Sequence, residues 1–318
     1  MAVAFPAKEI LIGETGWPSA GRMREGALPS RTNQARVVSE ILDLAKREGF
    51  RVNLIEAYDQ PWKRQLEGTV GGYWGLIDAV KRAIKYPPGE PISNYPLWKW
   101  QMGCGMGLSV LVFLAGWLTL RRRPWQPRLT SWIAVGTSAT TAGMLLGIAA
   151  DKMIYESYGI GGWLQWGTLL AAGCLSPLLC AYAAMSGRPL PTFLELVGPQ
   201  NVRTGSVLTV LLGLVLIVTT LISAATALGF VFDPRYKDFP FASLTMAVVP
   251  FATLMLVNRR IEGVRPIAES AFAGVLAASA VFMGFNEGAQ NWQSLWTCAI
   301  YLVLALTLWR ARAVQTPT

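Results

Sequence analysis

Histidine is absent from this sequence, and its absence excludes several kinds of site. A hydrolase of the Ser-His-Asp type has no base without an imidazole, and a zinc site loses one of its usual ligands. The cysteines lie inside apolar runs and form neither a disulfide framework nor a metal-ligand spacing; they are Cys104, Cys174, Cys180 and Cys298. The sequence therefore predicts no metal site and no cofactor.

Charged side chains are also scarce. They make up 15% of the residues, against about 25% in a soluble globular protein. Hydrophobic residues reach 53% and the mean hydropathy is +0.37, which predicts a membrane protein. The net charge of +9 comes mainly from arginines beside apolar runs. Membrane topology explains such arginines, so we expect no nucleic-acid partner.

Long apolar runs follow Pro96. A helix that spans a bilayer needs about 20 mostly apolar residues. Seven runs qualify, at approximately 97–120, 130–150, 162–186, 205–230, 239–257, 267–285 and 292–309. Seven such runs in series argue against the buried helices of a soluble core. We therefore predict a membrane all-α domain of about seven transmembrane helices over residues 97–318, surrounded by a lipid bilayer.

Basic residues are divided unevenly between the two sets of loops that join these runs. One set of loop ends holds Arg121, Arg122, Arg123, Arg128, Arg188, Arg203, Arg259, Arg260, Arg265, Arg310 and Arg312. The opposite set holds Lys152, Arg235 and Lys237. Positive residues favour the cytoplasmic side. The C-terminus is thus predicted inside and residues 1–96 outside, which in a Gram-negative cell means an inner-membrane protein with a periplasmic N-terminal segment.

Ionisable residues within membrane spans usually mark ion or proton pathways. Here Lys99, Asp151 and Glu269 all fall near the edges of predicted spans. This placement favours a scaffold, an anchor or a passive polysaccharide conduit over a coupled transporter. Small residues within the spans predict close helix packing; they are Gly143, Gly147, Ala171, Ala172, Gly274, Ala277 and Ala278.

The first 86 residues have the composition of a soluble segment. Residues 10–12 predict a strand buried on both faces. A helix is expected over residues 31–48, capped by Ser30 or Thr32 and closed by Gly49. A second strand is expected over 50–59 and a second helix over 76–85, before a Pro-rich linker at 87–96. Both strands end in carboxylates and aromatic residues, which suit sugars because aromatic faces stack on pyranose rings and carboxylates bond hydroxyls or attack the anomeric carbon.

The segment I-G-E-T-G-W-P-S-A-G, from Ile12 to Gly21, resembles the nucleophile signature of glycoside hydrolase family 17, the β-1,3-glucanases. Downstream, F-R-V-N-L-I-E-A-Y-D-Q-P-W-K and Y-W-G-L resemble the last barrel strand and following loop of bacterial members. Those members include membrane-attached proteins labelled β-1,3-glucanase or β-glucan synthase. The soluble resemblance covers about residues 8–85, and the membrane part resembles the same proteins more loosely.

The resemblance implies a (β/α)8 barrel with retaining chemistry, of which residues 1–86 would be the last two βα units. Glu14 matches the nucleophile, and Trp17 matches the wall of the cleft. The sugar subsites would be lined by Glu56, Asp59, Trp62, Lys63 and Glu67. A β-glucan polysaccharide is the implied substrate.

A retaining enzyme needs a second carboxylate about 5 Å from the nucleophile, and the family supplies it from the fourth strand, upstream. Only 13 residues precede Glu14, so the expectation is a C-terminal fragment that is inactive alone unless a partner chain supplies the missing strands. Asn286-Glu287 repeats the family's acid/base pair, but in the wrong order and context. Glu56 suits hydroxyl binding better.

Two functions from different classes remain open. The first is a membrane-bound, endo-1,3-β-glucanase-like glycosidase or transglycosylase acting on β-1,3- or β-1,6-linked glucan. The second is a non-catalytic membrane module that anchors or exports β-glucan beside a separate synthase.

Overall fold

The computed structural model describes residues 3–87, 89–122, 128–197 and 206–313. The chain divides into two compact units. The N-terminal unit comprises residues 1–96 together with Arg235–Asp238, and the helical unit comprises Leu97–Pro234 and Phe239–Thr318. The predicted linker at 87–96 thus falls within the N-terminal unit, where Asn94 accepts hydrogen bonds from the backbone and hydroxyl of Thr32.

The N-terminal unit is built on a βαβ unit. Strand β1 (Leu11–Thr15) pairs in parallel with β2 (Arg51–Leu54), and α1 (Arg31–Glu48) connects them. Parallel neighbours require such a crossover, and a helix usually provides it. This is the smallest repeat of the β/α architecture expected from the sequence.

Helix α1 has the bounds that its end signals predict. Ser30 is the N-cap, and its side chain accepts a hydrogen bond from Asn33 N. Gly49 is the C-cap with φ 68°, a left-handed conformation that glycine adopts without steric penalty. Lys46 and Arg47 occupy the last turn, where the helix dipole favours positive charge.

Strand β1 is more exposed than predicted. Leu11 and Ile12 keep 60% and 39% of their surface accessible. The prediction of burial on both faces is wrong for the residues described, because β2 is the one strand among them that pairs with β1. The opposite edge of β1 therefore presents its backbone groups to the surroundings.

The second helix predicted in this unit, over 76–85, is also wrong. These residues form an antiparallel hairpin of β3 (Ile77–Asp78) and β4 (Ala83–Ile84). The Asp78 carboxylate accepts hydrogen bonds from Val80 N and Lys81 N, so it stabilises a turn in place of a helix. Arg82 completes the turn with φ 52°. An unpredicted helix, α2 (Arg64–Gly71), precedes the hairpin.

The helical unit contains six helices, among the residues described, that are long and apolar enough to cross a membrane. They are α3 (Trp98–Arg121), α4 (Leu129–Glu156), α5 (Gly159–Met185), α7 (Val207–Phe232), α9 (Ile267–Glu287) and α10 (Trp292–Trp309). Their bounds follow six of the seven predicted runs. The short helix α6 (Phe193–Val197) has no counterpart among those runs. Arg123 and Arg203, used to predict orientation, lie outside the described residues.

The remaining apolar run forms α8 (Phe241–Val257), which has only 17 residues. A helix of this length extends about 25 Å, a little less than the hydrocarbon core of about 30 Å. Most of its side chains are buried against α4, α5 and α10. Six helices are therefore long and apolar enough to span a membrane, and α8 lies at the short end of the range that a span requires.

Small residues allow close helix contact, as the sequence predicts, at some positions and not at others. A Cβ on Gly143 of α4 would lie 2.1 Å from Ser109 Oγ and 2.8 Å from Gly105 O, both on α3. A Cβ on Gly147 would lie 2.5 Å from Gln101 Cβ. Gly274 has open space beside it, so the packing prediction is wrong there.

A hydrogen bond joins α5 to a backbone carbonyl of α8 that a proline in α8 leaves without its usual donor. Pro250 has no N–H, so it cannot donate to the carbonyl of Met246, four residues earlier. Ser176 Oγ on α5 lies 3.2 Å from that carbonyl and donates to it. Both residues are buried, and the carbonyl that the proline leaves open is satisfied from the neighbouring helix.

The ionisable residues named from the sequence lie towards the ends of their helices. Glu269 occupies the first turn of α9 and accepts a 2.6 Å hydrogen bond from Phe193 N, at the start of α6. Glu195 accepts from Thr192 N and pairs with Arg260. Asp151 accepts from Gln101 Nε2 at 2.5 Å. These contacts give the carboxylates structural partners.

Candidate functional site

The acidic residues singled out from the sequence lie at the C-terminal ends of β1 and β2, on the same side of the N-terminal unit. Glu14 lies within β1, and Glu56 comes two residues after β2 ends. The strands are parallel, and Ile55 N donates to Thr15 O at 2.8 Å just beyond their pairing. The C-terminal ends of parallel strands in β/α folds are where catalytic residues gather. Glu14 is exposed at this edge.

Three carboxylates surround Lys63, which ends the 3₁₀ turn Pro61–Lys63. Lys63 Nζ forms an ion pair with Glu56 Oε1. Glu67, on α2, and Glu14 add their negative charge at longer range. The hydrogen bond to Glu56 is the main cause that raises the pKa of Lys63, and the charges of Glu56, Glu67 and Glu14 raise it further against a smaller effect of burial. Lys63 is thus a firmly protonated cation among carboxylates.

Glu56 has capacity for a further hydrogen bond. Its side chain is 10% exposed, and Oε1 is occupied by Lys63. Its other oxygen, Oε2, is buried without a hydrogen-bond partner among the residues described. A buried acceptor left unpaired costs about 1–3 kcal/mol. A ligand hydroxyl placed at this oxygen would remove that cost.

The aromatic residues of the site differ in their accessibility. Trp62 is 59% exposed, and Lys63 Nζ lies 5.9 Å from its ring centroid. An exposed indole beside carboxylates provides the flat apolar surface on which a pyranose ring stacks. Trp17 is half-buried, and its Nε1 donates to Leu28 O at 3.1 Å. Trp17 therefore stabilises its own loop through its polar end.

Asp59 lies apart from this cluster. Its side chain is 5% exposed and forms an ion pair with Lys85, whose Nζ is 2.7 Å from Asp59 Oδ1. Gly75 N donates to the same oxygen at 3.0 Å. The sequence resemblance places Asp59 among the sugar ligands, whereas these contacts turn its carboxylate into the interior of the unit.

Sequence reasoning missed three residues that organise the site: Lys85, Ser19 and Gln34. Lys85 lies within the wrongly predicted helix over 76–85, and no pattern marks it. Gln34 does carry a signal, because it precedes Val38 by one helical turn on the buried side of α1. Gln34 Nε2 donates to Trp74 O at 3.0 Å and to Gly75 O at 3.2 Å.

Residues 1–75 match the BtgE/BtgC glycoside hydrolase domain. Similar curated proteins include a probable β-glucosidase, btgE, of Neosartorya fischeri, which is 36% identical over 73 residues. A probable family 17 glucosidase of Saccharomyces cerevisiae, SCW10, is 35% identical over 72 residues. The glucan 1,3-β-glucosidase BGL2 of Candida albicans is 34% identical over 80 residues. No solved structure matches the chain.

The alignments cover only part of this chain and only part of each relative. The three alignments cover 23%, 23% and 24% of this chain, and 13%, 18% and 26% of the respective relatives. They establish a glycoside hydrolase domain related to β-1,3-glucosidases at the N-terminus. All three relatives are fungal, so the bacterial resemblance stays an expectation.

Across the described ranges, no group of three or more His, Cys, Asp or Glu is placed to hold a metal ion. Glu287, of the Asn286-Glu287 pair weighed from the sequence, ends α9 in the helical unit and accepts from Asn291 Nδ2. The site therefore consists of carboxylates, the cation of Lys63 and the exposed indole of Trp62 near the C-terminal ends of β1 and β2. This combination suits the binding of sugars.

Proposed function

We propose that this protein is a membrane-bound β-glucan-active glycosidase or transglycosylase of the retaining type, with Glu14 as its nucleophile. The observation that carries the proposal is the position of Glu14 at the end of β1, beside the charge of Lys63, within a segment that matches a glycoside hydrolase domain. The activity named for the Candida albicans relative supports a β-1,3-linked glucan as the first substrate to test.

In the proposed reaction, a Glu14 oxygen attacks the anomeric carbon of a glucosyl unit and the bond from that carbon to the glycosidic oxygen breaks. The departing oxygen takes a proton from a second carboxylic acid. That group, now a carboxylate, then removes a proton from water or from an acceptor sugar hydroxyl, whose oxygen displaces Glu14. Water gives hydrolysis, and a sugar gives transglycosylation.

The other cluster residues have binding roles in this proposal. Oε2 of Glu56 and the carboxylate of Glu67 accept hydrogen bonds from sugar hydroxyls, and the exposed face of Trp62 stacks on a pyranose ring. Lys63 holds Glu56 in place and balances the negative charge around Glu14. Trp17 shapes the wall beside the nucleophile, and Asp59 acts through its pairing with Lys85.

The acid/base carboxylate is proposed to come from further strands added beyond β1. Retaining enzymes hold the two carboxyl groups about 5 Å apart. The open edge of β1 and its exposed Leu11 and Ile12 support this arrangement, because a strand edge with exposed apolar side chains favours pairing with another strand. A partner chain that completes a barrel is the proposed source.

We further propose that α8 crosses the membrane as a seventh span. Its near-complete burial against three neighbours supports this, since a helix enclosed by longer spans does not itself have to match the bilayer thickness. Seven crossings place the N-terminal unit on the outer side and the C-terminus in the cytoplasm. The arginines at the described cytoplasmic loop ends agree with that orientation.

A mechanism-based inactivator tests the nucleophile independently of the acid/base carboxylate. A 2-deoxy-2-fluoro-β-laminaribiosyl fluoride has a leaving group that departs as fluoride without protonation. The full chain in detergent is expected to gain the mass of one disaccharide, on the peptide that carries Glu14. Glu14→Gln should abolish the adduct, whereas Glu9→Gln, an exposed acid just before the same strand, should not.

The outcomes separate the two candidate functions. An adduct on Glu14 that disappears only in Glu14→Gln supports the glycosidase. Binding of a β-1,3-gluco-oligosaccharide without any adduct favours a non-catalytic module that anchors or exports glucan. Absence of both adduct and binding contradicts the proposal.

A further inference from the structure

We propose that Lys85 is a positioning residue of the glucan site, because its ammonium group ties the loop after Glu14 to the loop after Glu56. The inference rests on the proposed function and adds a residue that the family match does not reach, since that match ends at residue 75. The Ser19 loop is defined here as residues 16–21, and the Asp59 loop as residues 55–60.

The ammonium group of Lys85 is fully used. It lies 2.6 Å from Ser19 Oγ, 2.7 Å from Asp59 Oδ1 and 3.4 Å from Tyr73 O. A lysine has three N–H donors, and here three acceptors come from three separate segments of chain. The side chains of Lys85 and Asp59 are 4% and 5% exposed, so water does not substitute easily for either partner.

Ser19 is held from two sides by this arrangement. Its hydroxyl accepts from Lys85 and donates to Tyr73 O at 3.1 Å, and its backbone N–H donates to the same carbonyl at 2.9 Å. At the other end of this stretch, directly after Glu14, Thr15 O accepts a hydrogen bond from Ile55 N. The short stretch that follows the proposed nucleophile is therefore restrained at both ends.

The Asp59 loop is fixed by the same group. Asp59 Oδ1 accepts from Lys85 and from Gly75 N, while the backbone N–H of Asp59 donates to Ile77 O at 3.0 Å. A Cβ on Gly75 would lie 2.0 Å from Asp59 N, so only glycine permits this approach. The loop that begins at Ile55 and carries Glu56 is thereby anchored to the hairpin that precedes Lys85.

Stability alone does not account for this pair. Burial is the largest influence on both groups: it raises the pKa of Asp59 and lowers the pKa of Lys85, even though each partner favours the other's charge. The charge of Asp78 raises the pKa of both Asp59 and Lys85, so it adds to the effect of burial on Asp59 and opposes it on Lys85, whose pKa Arg31 lowers further. Burial thus disfavours the ionised forms of both groups. A buried ion pair is weak evidence for stability, and the contacts of this pair support a positional role.

Amide hydrogen exchange and ligand affinity test the inference on the full chain in detergent. Lys85→Met removes the three donors, and Lys81→Met is the matched control, since Lys81 is an exposed lysine in the turn of the same hairpin. Lys85→Met leaves the buried carboxylate of Asp59 without its cation, which can prevent folding for that reason alone. The double variant Lys85→Met/Asp59→Asn removes this carboxylate charge as well and serves as the second test. The ligand is a soluble β-1,3-gluco-oligosaccharide, measured by calorimetry.

For either Lys85 variant, we expect the amides of Ser19 and Gly75 to exchange at least about tenfold faster and the affinity to fall about tenfold. Lys81→Met should match the wild type in both. Unchanged amide exchange at Ser19 would show that Lys85 does not hold the Ser19 loop. Faster exchange with unchanged affinity would show that Lys85 has no role in positioning the glucan site. If the wild type binds no oligosaccharide, the proposed function fails, while the exchange result still decides whether Lys85 holds the loop.

Discussion

Gly16 and Ile55 approach each other so closely that a Cβ on Gly16 would lie 2.2 Å from the carbonyl oxygen of Ile55. Gly16→Ala therefore forces apart the loop that follows Glu14 and the loop that carries Glu56. We expect the N-terminal unit to lose about 1–3 kcal/mol of unfolding free energy, measured by hydrogen exchange of the α1 amides. Gly13→Ala is the control, because Gly13 has no atom within 4 Å of its Cβ position. Equal behaviour of the two variants would contradict the contact.

Lys63→Met should destabilise the N-terminal unit by about 1–3 kcal/mol, because the largely buried Glu56 then loses the donor to Oε1, while its Oε2 is already buried without one. Lys8→Met, at an exposed lysine, should have little effect. The pKa of Lys63 is raised above its ordinary value of 10.5, chiefly by its hydrogen bond to Glu56. The stabilisation is therefore fully present below pH 10.5 and disappears as the pH rises through the raised pKa. A difference between wild type and Lys63→Met that persists undiminished at higher pH would refute this account.

In contrast to Lys63→Met, replacing the buried pair of Asp59 and Lys85 by apolar residues should not destabilise the N-terminal unit. Asp59→Leu/Lys85→Met is expected to be as stable as the wild type at about pH 7, or up to about 4 kcal/mol more stable. Between the raised pKa of Asp59 and the lowered pKa of Lys85 both groups are ionised against the effect of burial, so the wild type is penalised in that window. The exposed pair Arg36–Glu40 on α1 is the control, and removing it should change stability by less than about 1 kcal/mol. Strong destabilisation by the apolar double variant would show that the pair stabilises the fold.

The contact between α3 and α4 should depend on one glycine and not on its neighbours. A Cβ on Gly105 would lie 2.1 Å from Gly143 O, whereas Gly103 and Gly107 have open space. Gly105→Ala is expected to cost about 1–3 kcal/mol in a denaturant titration in detergent. Gly103→Ala should leave the transition unchanged. The reverse order of the two variants would exclude this packing.

The crossing of α8 predicts where the C-terminus lies. A reporter fused after Thr318 should be active on the cytoplasmic side, and a reporter inserted at 289–290, between α9 and α10, should report the opposite side. If α8 does not cross, the C-terminus shares the side of the N-terminal unit. The inserted reporter checks that α10 itself crosses.

Local signals allow much of the fold to be predicted. Helix α1 is predicted at its observed bounds because Ser30 and Gly49 close it chemically at both ends. The membrane helices are predicted because a soluble fold rarely contains a uniformly apolar run of about 20 residues, whereas a bilayer span requires one. The limit in this part is α8, whose length alone does not decide whether it crosses.

The wrong predictions depend mainly on contacts between residues that are distant in sequence. Residues 76–85 have a helical pattern, but Asp78 bonds its own turn and Lys85 is drawn into a buried pair with Asp59. The exposure of Leu11 depends on which strands lie beside β1, and the sequence of one strand does not reveal its neighbours. Of the candidate site, Glu14, Glu56, Lys63 and Glu67 are named from a motif, and their grouping around one cation requires the folded structure.

The hydrogen bond from Ser176 to Met246 bears on how the protein is assembled in the membrane. Before it meets α5, a newly inserted α8 would carry an unpaired carbonyl into hydrocarbon, at a penalty of several kcal/mol. Docking against α5 removes that penalty only in the rotation that brings the Ser176 hydroxyl to the Met246 carbonyl. In the proposed seven-span arrangement, insertion of α8 is therefore coupled to its docking on α5, and the carbonyl left open by Pro250 favours one register between the two helices.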